Sequence, residues 1–118
     1  MPHHPRPRRV APIGARAQLA HTVTDVVDVS GTGVLIRVSY ELRPGSEWPL
    51  VLELPSAAPA RVTGRVVRCE PVAVSLPAGA VLEGHYLLAL TFVDPSTEAQ
   101  AVLDQVCGTD AEPPERPG

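Results

Sequence analysis

An aspartate held between valines, Asp28, is followed two residues on by Ser30 and three beyond that by Gly33, inside the aliphatic run 26–36. Side chains alternate along an extended chain, so Asp28 and Ser30 fall on one side and bring a carboxylate and a hydroxyl together at a strand end. The carboxylate can accept from paired N–H groups such as those on the edge of a guanine, while the hydroxyl donates or accepts. Gly33 stands directly before Val34, Leu35 and Ile36. A backbone with φ above zero, or the close approach of a ligand, would exclude a Cβ there. The same residue types also serve a local purpose, because Asp and Ser bond their own backbone to shape turns. Spacing alone favours that local reading.

A second group of chemically capable residues precedes this stretch. Arg6, Arg8, Arg9 and Arg16 come before residue 17 with no acid among them, whereas residues 17–118 set six arginines against all thirteen acids, a balance of −7. The whole chain carries −3 with a pI near 5.7. That balance argues against non-specific DNA binding, which needs an excess of positive charge to displace counterions. A cationic leader on an acidic body can still meet a small anion. All ten basic residues are arginine, a bias that GC-rich coding produces and that by itself says nothing of function.

Other candidate chemistry is thin. His3 and His4 are adjacent, His21 and His85 isolated, and none has the company of ligands that a metal site needs. Cys69 and Cys107 lack ligand spacing and read as small hydrophobes in a reducing cytosol, a disulfide being the lesser alternative. Ser30 has no G-x-S-x-G elbow around it, and the glycines of "SGTG" fit neither a phosphate loop nor a dinucleotide fingerprint. No enzyme is expected. No apolar stretch approaches the roughly 20 residues of a membrane helix, and residues 1–20 have the charges of a signal peptide without its apolar segment. The expectation is a cytoplasmic protein with no membrane insertion.

The elements that must position these residues are mostly strands. With 118 residues the chain is expected to be one domain, and 44% hydrophobic against 3% aromatic residues calls for a core of Val, Leu and Ala. Residues 1–15 read as a flexible, basic, proline-rich arm. Alternation of apolar and polar residues marks strands over 15–21, 22–30, 34–40, 48–55, 61–72 and 85–93. Their short connections suit a small antiparallel barrel or sandwich. Residues 73–84 read as a long hairpin loop or flap. Arg61, Arg65 and Arg68 recur along one strand as a solvated face paired with Glu53 or Glu70, Arg65 being a secondary candidate to line a ligand surface. Trp48 and Tyr86 read as packing residues. One helix is expected near the end, with Asp94 as cap, Pro95 at the first helical position, Gly108 as stop and Ala99, Val102, Leu103 and Val106 as an apolar stripe. Residues 108–118 read as a disordered acidic tail.

The stretch D-V-S-G-T-G-V, preceded by the arginine-rich arm and followed by this series of strands and a helix, resembles the PilZ family. Residues 28–33 match that family's D-x-S-x-x-G motif in full, and the likeness runs on through "ELRPGSEWPLVLELP", "TGRVVRCE" and "HYLLALTFVD", covering about residues 6–107. The resemblance implies a six-stranded antiparallel β-barrel with one C-terminal α-helix. In many members this bacterial domain binds the second messenger cyclic di-GMP. The D-x-S-x-x-G strand and turn then hold a guanine, here through Asp28, Ser30 and Gly33, and an arm bearing R-x-x-x-R wraps the ligand. A guanidinium can pair with phosphate, reach guanine O6 and N7 or stack on the base.

The arm departs from that pattern. With Arg9 in the second arginine position the first is Pro5, with Arg8 it is His4, and Arg6 with Arg9 gives a spacing of three. Losing one charged bidentate contact costs about 1.5–3 kcal/mol, roughly tenfold to a hundredfold in affinity. Two functions follow from the resemblance. One is a single-domain receptor or adaptor that binds cyclic di-GMP through Arg6, Arg8, Arg9, Asp28, Ser30 and Gly33 and signals to a protein partner by a changed surface. The other is a degenerate PilZ domain that binds no nucleotide and serves as a protein–protein interaction module. Neither requires a cofactor.

Overall fold

Alternating burial closes the sheet on itself. The computed structural model describes residues 9–108 except 56, 76, 78 and 80. It contains β1 (Arg16–Leu19), β2 (Thr22–Val29), β3 (Gly33–Val38), β4 (Glu47–Glu53), β5 (Ala60–Ser75), β6 (Val81–Val93) and α1 (Thr97–Cys107). All strand pairs are antiparallel, and the order β1-β2-β3-β6-β5-β4 becomes a closed barrel because β1 pairs with both β2 and β4. The expected barrel is therefore present. Its interior is made by the residues whose alternation announced the strands: Ala17 and Leu19 in β1, Val34, Ile36 and Val38 in β3, Leu50 and Leu52 in β4, Leu88 and Leu90 in β6. Arg37 and Glu53, between the buried residues, face solvent.

Antiparallel order puts the ends of β2, β4 and β6 and the starts of β3 and β5 at one rim. The helix α1 packs there, burying Ala99, Leu103 and Cys107 against the core, with Val102 and Val106 at its flanks. Its start differs from the expectation. Ser96 is the cap, its Oγ accepting the Ala99 N–H at 3.0 Å, and Pro95 lies ahead of the helix. Asp94 takes φ 43 at the end of β6, a left-handed turn that Asp tolerates better than most residues. Gly108 ends the helix as expected, with φ 69 and its N–H donating to Asp104 O at 2.7 Å.

A second difference concerns residues 73–84. Most of this stretch is not loop, since β5 and β6 run on beyond the barrel and pair as far as Val74 with Leu82 and Ser75 with Val81. Beta-favouring valines on both sides allow the ladder to continue once the neighbouring strands have ended.

Candidate functional site

Two β-bulges decide which side chains reach the outer face near the rim. In the β2–β3 ladder Val26 opposes Ile36 and Asp28 opposes Leu35, which leaves Val27 as an extra residue. In the β5–β6 ladder Val66 opposes Leu90 and Arg68 opposes Ala89, leaving Val67 extra. An added residue reverses which face the following side chains take, so a bulge re-aims what comes after it. Leu35 in turn opposes Ala89 across β3 and β6. The result is one transverse row on the outside of the barrel: Asp28, Leu35, Ala89, Arg68. With neighbouring strands about 4.8 Å apart, its ends lie roughly 14 Å from each other. A hollow of about 530 Å³ lies over this row, with Arg9 and Asp28 on one wall, Val67 and Arg68 on the other, and Leu35 and Ala89 between them.

Arg9 reaches that wall because the segment ahead of β1 is tied down. Val10 and Val29 exchange both backbone N–H···O bonds at 2.8 Å, and Ala15 O accepts the Val26 N–H at 3.2 Å. Residues 9–15, expected as part of a flexible arm, are thus tied to β2 at Val10 and at Ala15. Arg6 and Arg8 lie outside the described residues. The Arg9 Nε donates to Asp28 Oδ1 at 2.8 Å, and its Nη2 contacts the same oxygen. Among the described residues no donor takes Asp28 Oδ2. The Asp28 side chain is 27% exposed and that of Arg9 52%. An ion pair so open to water is worth no more than about 1 kcal/mol, so incoming hydrogen-bond donors can replace it.

Ser30 does something different from what alternation suggests. Strand β2 ends at Val29, and both Val29 and Ser30 are fully buried. The Ser30 Oγ accepts the N–H groups of Thr32 and Gly33, each at 3.2 Å, and lies 3.3 Å from Thr32 Oγ1. The Ser30 N–H donates to Gly33 O at 2.8 Å. Its hydroxyl is spent on the turn and does not converge with the Asp28 carboxylate. Ser30→Ala should cost about 1–3 kcal/mol, the usual penalty for stranding buried donors. Urea denaturation measures it, and an unchanged midpoint would show that the turn does not depend on this oxygen.

Gly33 is required for a reason the sequence did not give. Its backbone is not left-handed, but a Cβ built there would stand 2.5 Å from Leu90 O. Strand β6, not a ligand, excludes the side chain. The turn is also held from the helix, since Gln100 Nε2 donates to Gly31 O at 3.1 Å and Cys107 Sγ lies 3.7 Å from Val29 O. Burial, helped by Asp104 and opposed by Arg9, pushes the Cys107 thiol above its ordinary pKa, keeping it a neutral donor. Cys69 and Cys107 are both free.

Among the other arginines, Arg65 pairs with Glu47, its direct cross-strand neighbour, at 2.8 Å, and not with Glu53 or Glu70 as expected. Arg68 makes no ion pair among the described residues and faces the hollow. Together with Thr32 and Val67 it is part of the site that the strand reading missed. A signal for it does exist: "VVD" and "VVR" each interrupt the period of two just before a charged residue. No group of three His, Cys, Asp or Glu that could hold a metal occurs among the described residues, and no described helix is long and apolar enough to cross a membrane.

Several solved proteins share this fold at low identity. The PilZ domain of YcgR from Escherichia coli, solved with c-di-GMP, is 12% identical with a TM-score of 0.69, the match covering 89% of each chain. The Bacillus subtilis inhibitor of motility MotI/DgrA is 15% identical with a TM-score of 0.68, over 89% of this chain and 49% of that one. The K. pneumonia MrkH–c-di-GMP complex is 13% identical with a TM-score of 0.66, over 90% and 52%. This chain therefore spans about half the length of MotI and MrkH. Identities this low establish the fold alone. No curated protein matches the sequence. The PilZ domain family matches it over residues 3–108, nearly the whole chain, and the barrel, the D-x-S-x-x-G turn and the terminal helix all agree with that match: the chain belongs to the PilZ family.

Proposed function

We propose that this PilZ domain is a receptor for cyclic di-GMP, which it binds over the row Asp28–Leu35–Ala89–Arg68. The observation that carries the reading is the Asp28 carboxylate, turned outward by the β2 bulge, with Oδ1 held by Arg9 and Oδ2 without a partner among the described residues. A carboxylate so presented matches the adjacent N–H donors of a guanine edge, and Arg9 can move from Asp28 to guanine O6 and N7 or to a phosphate. Arg6 and Arg8 precede Arg9 and would add positive charge from the arm. Ser30 and Gly33 serve by fixing the turn. Because Gln100 and Cys107 of α1 touch that same turn, a shift of the turn on binding alters the helix surface offered to a protein partner.

Calorimetric titration of the purified chain with cyclic di-GMP tests this. Saturable heat below high micromolar ligand is expected, with Asp28→Ala weakening binding about tenfold to a hundredfold and Arg61→Ala, outside the hollow, leaving it unchanged. Absence of heat would reject the receptor. It would favour the ligand-free interaction module, which the missing R-x-x-x-R spacing supports.

A further inference from the structure

Resting on that reading, we infer that Arg68 of β5 is a ligand-binding residue, its guanidinium taking a phosphate of the dinucleotide whose guanine sits at Asp28. It thereby supplies from the barrel wall the second cation that the arm lacks at the family spacing.

Arg68 is on the outside only because of the bulge. Residues 61–66 alternate strictly, with Val62, Gly64 and Val66 buried and Arg61, Thr63 and Arg65 exposed. Continued alternation would expose residue 67 and turn residue 68 into the core. The extra residue Val67 leaves two successive side chains outward, Val67 at 53% exposure and the exposed Arg68. A bulge sacrifices regular ladder bonds, and bulges gather where a side chain must be re-aimed. Here the re-aimed side chain arrives opposite Ala89, in the same row as Asp28.

Charge makes the same point. Arg65 is neutralised by Glu47 and Arg9 by Asp28. Among the described residues Arg68 has no carboxylate within ion-pair distance, although it lines the hollow. An uncompensated guanidinium at one end of the row and a carboxylate at the other suit a ligand that is a hydrogen-bond donor at one end and anionic toward the other. A span of roughly 14 Å leaves room for the long arginine side chain to reach inward over the small floor residue Ala89. Exposed Val67 adds an apolar surface for a ribose or base. Because Arg68 stands on a strand, its backbone is already fixed before it binds.

The test is equilibrium titration of the full chain with cyclic di-GMP. Arg68→Ala should weaken binding about tenfold to a hundredfold, as expected for losing a charged bidentate contact. Arg68→Lys, which keeps the charge but not the fork, should fall between the two. Arg65→Ala, one row away and already paired, should stay within about twofold of wild type, a difference too small to signal a lost contact. Thermal unfolding of Arg68→Ala should match wild type, showing that the loss is not one of folding. Unchanged affinity in Arg68→Ala, with wild type binding, overturns this inference and leaves the receptor standing. A wild-type chain that binds nothing overturns both.

Discussion

Gly33→Ala is expected to destabilise the barrel by about 3 kcal/mol, the upper end of the usual cost of overpacking. The obstacle is a carbonyl oxygen, Leu90 O, only 2.5 Å from where the Cβ would stand. A flexible side chain could rotate away, but this oxygen is fixed in the β3–β6 ladder between Val34 and Leu90 and between Gly33 and Thr91. Relief requires β3 and β6 to part at the rim. That movement strains the Phe92 N–H bond to Thr32 O at 2.9 Å and the Thr91 Oγ1 bond to the same oxygen at 3.2 Å. The turn that Ser30 stabilises is therefore disturbed together with the ladder. Thermal unfolding should show a fall of about 12 °C or more, taking roughly 4 °C or more per kcal/mol for a domain of this size. Gly31→Ala is the natural control, because a Cβ there meets only Asp104 Oδ1 and Gln100 Nε2 at 3.6 Å, an ordinary contact. If both variants melted alike, close packing of the strands at Gly33 would not be what requires glycine.

Leu103→Ala should be as damaging, costing about 2–5 kcal/mol for the lost burial and the cavity left behind. Leu103 is fully buried, and with Ala99 and Cys107 it makes the stripe by which α1 covers the rim. The short helix of 11 residues is too brief to be stable without such packing. Its loosening would release Gln100 from Gly31, so the turn loses a tether as well. Urea denaturation reports both consequences: a lower midpoint and, if the helix frays in the native state, a smaller m-value because less surface remains to be exposed. A variant with wild-type midpoint and slope would mean that α1 contributes nothing to holding the rim.

What could be read from the residues was whatever depends on local period. The three buried positions of β3 and the buried leucines of β4 alternate without interruption, and their strands lie where alternation put them. Bulges do not follow from local period in the same way, because an extra residue is defined by the strand opposite. In "RVTGRVVR" the doubled valine breaks the period, but that Arg68 lands outward is settled only by Ala89 lying opposite it. Taken as a strand by itself, the segment puts Arg68 with Arg61 and Arg65 on a solvated face, and the far wall of the hollow does not show. The difference at Ser30 has a related origin. Alternation applies only while the chain is extended, and β2 stops one residue earlier than the motif's spacing suggests. At the helix start, Asp94 and Ser96 both have capping side chains. Only the backbone settles the choice, extended at Ser96 and left-handed at Asp94. The reason for Gly33 lay in the carbonyl of a strand some sixty residues away in the chain, which no local pattern records.

The carbonyl of Val29 receives the Val10 N–H from one side of the domain sequence and lies beside the Cys107 thiol from the other. Val10 and Cys107, near the two ends of the described residues, consequently meet at one small patch next to Asp28. Ends of a fold this close together make it tolerant of circular permutation.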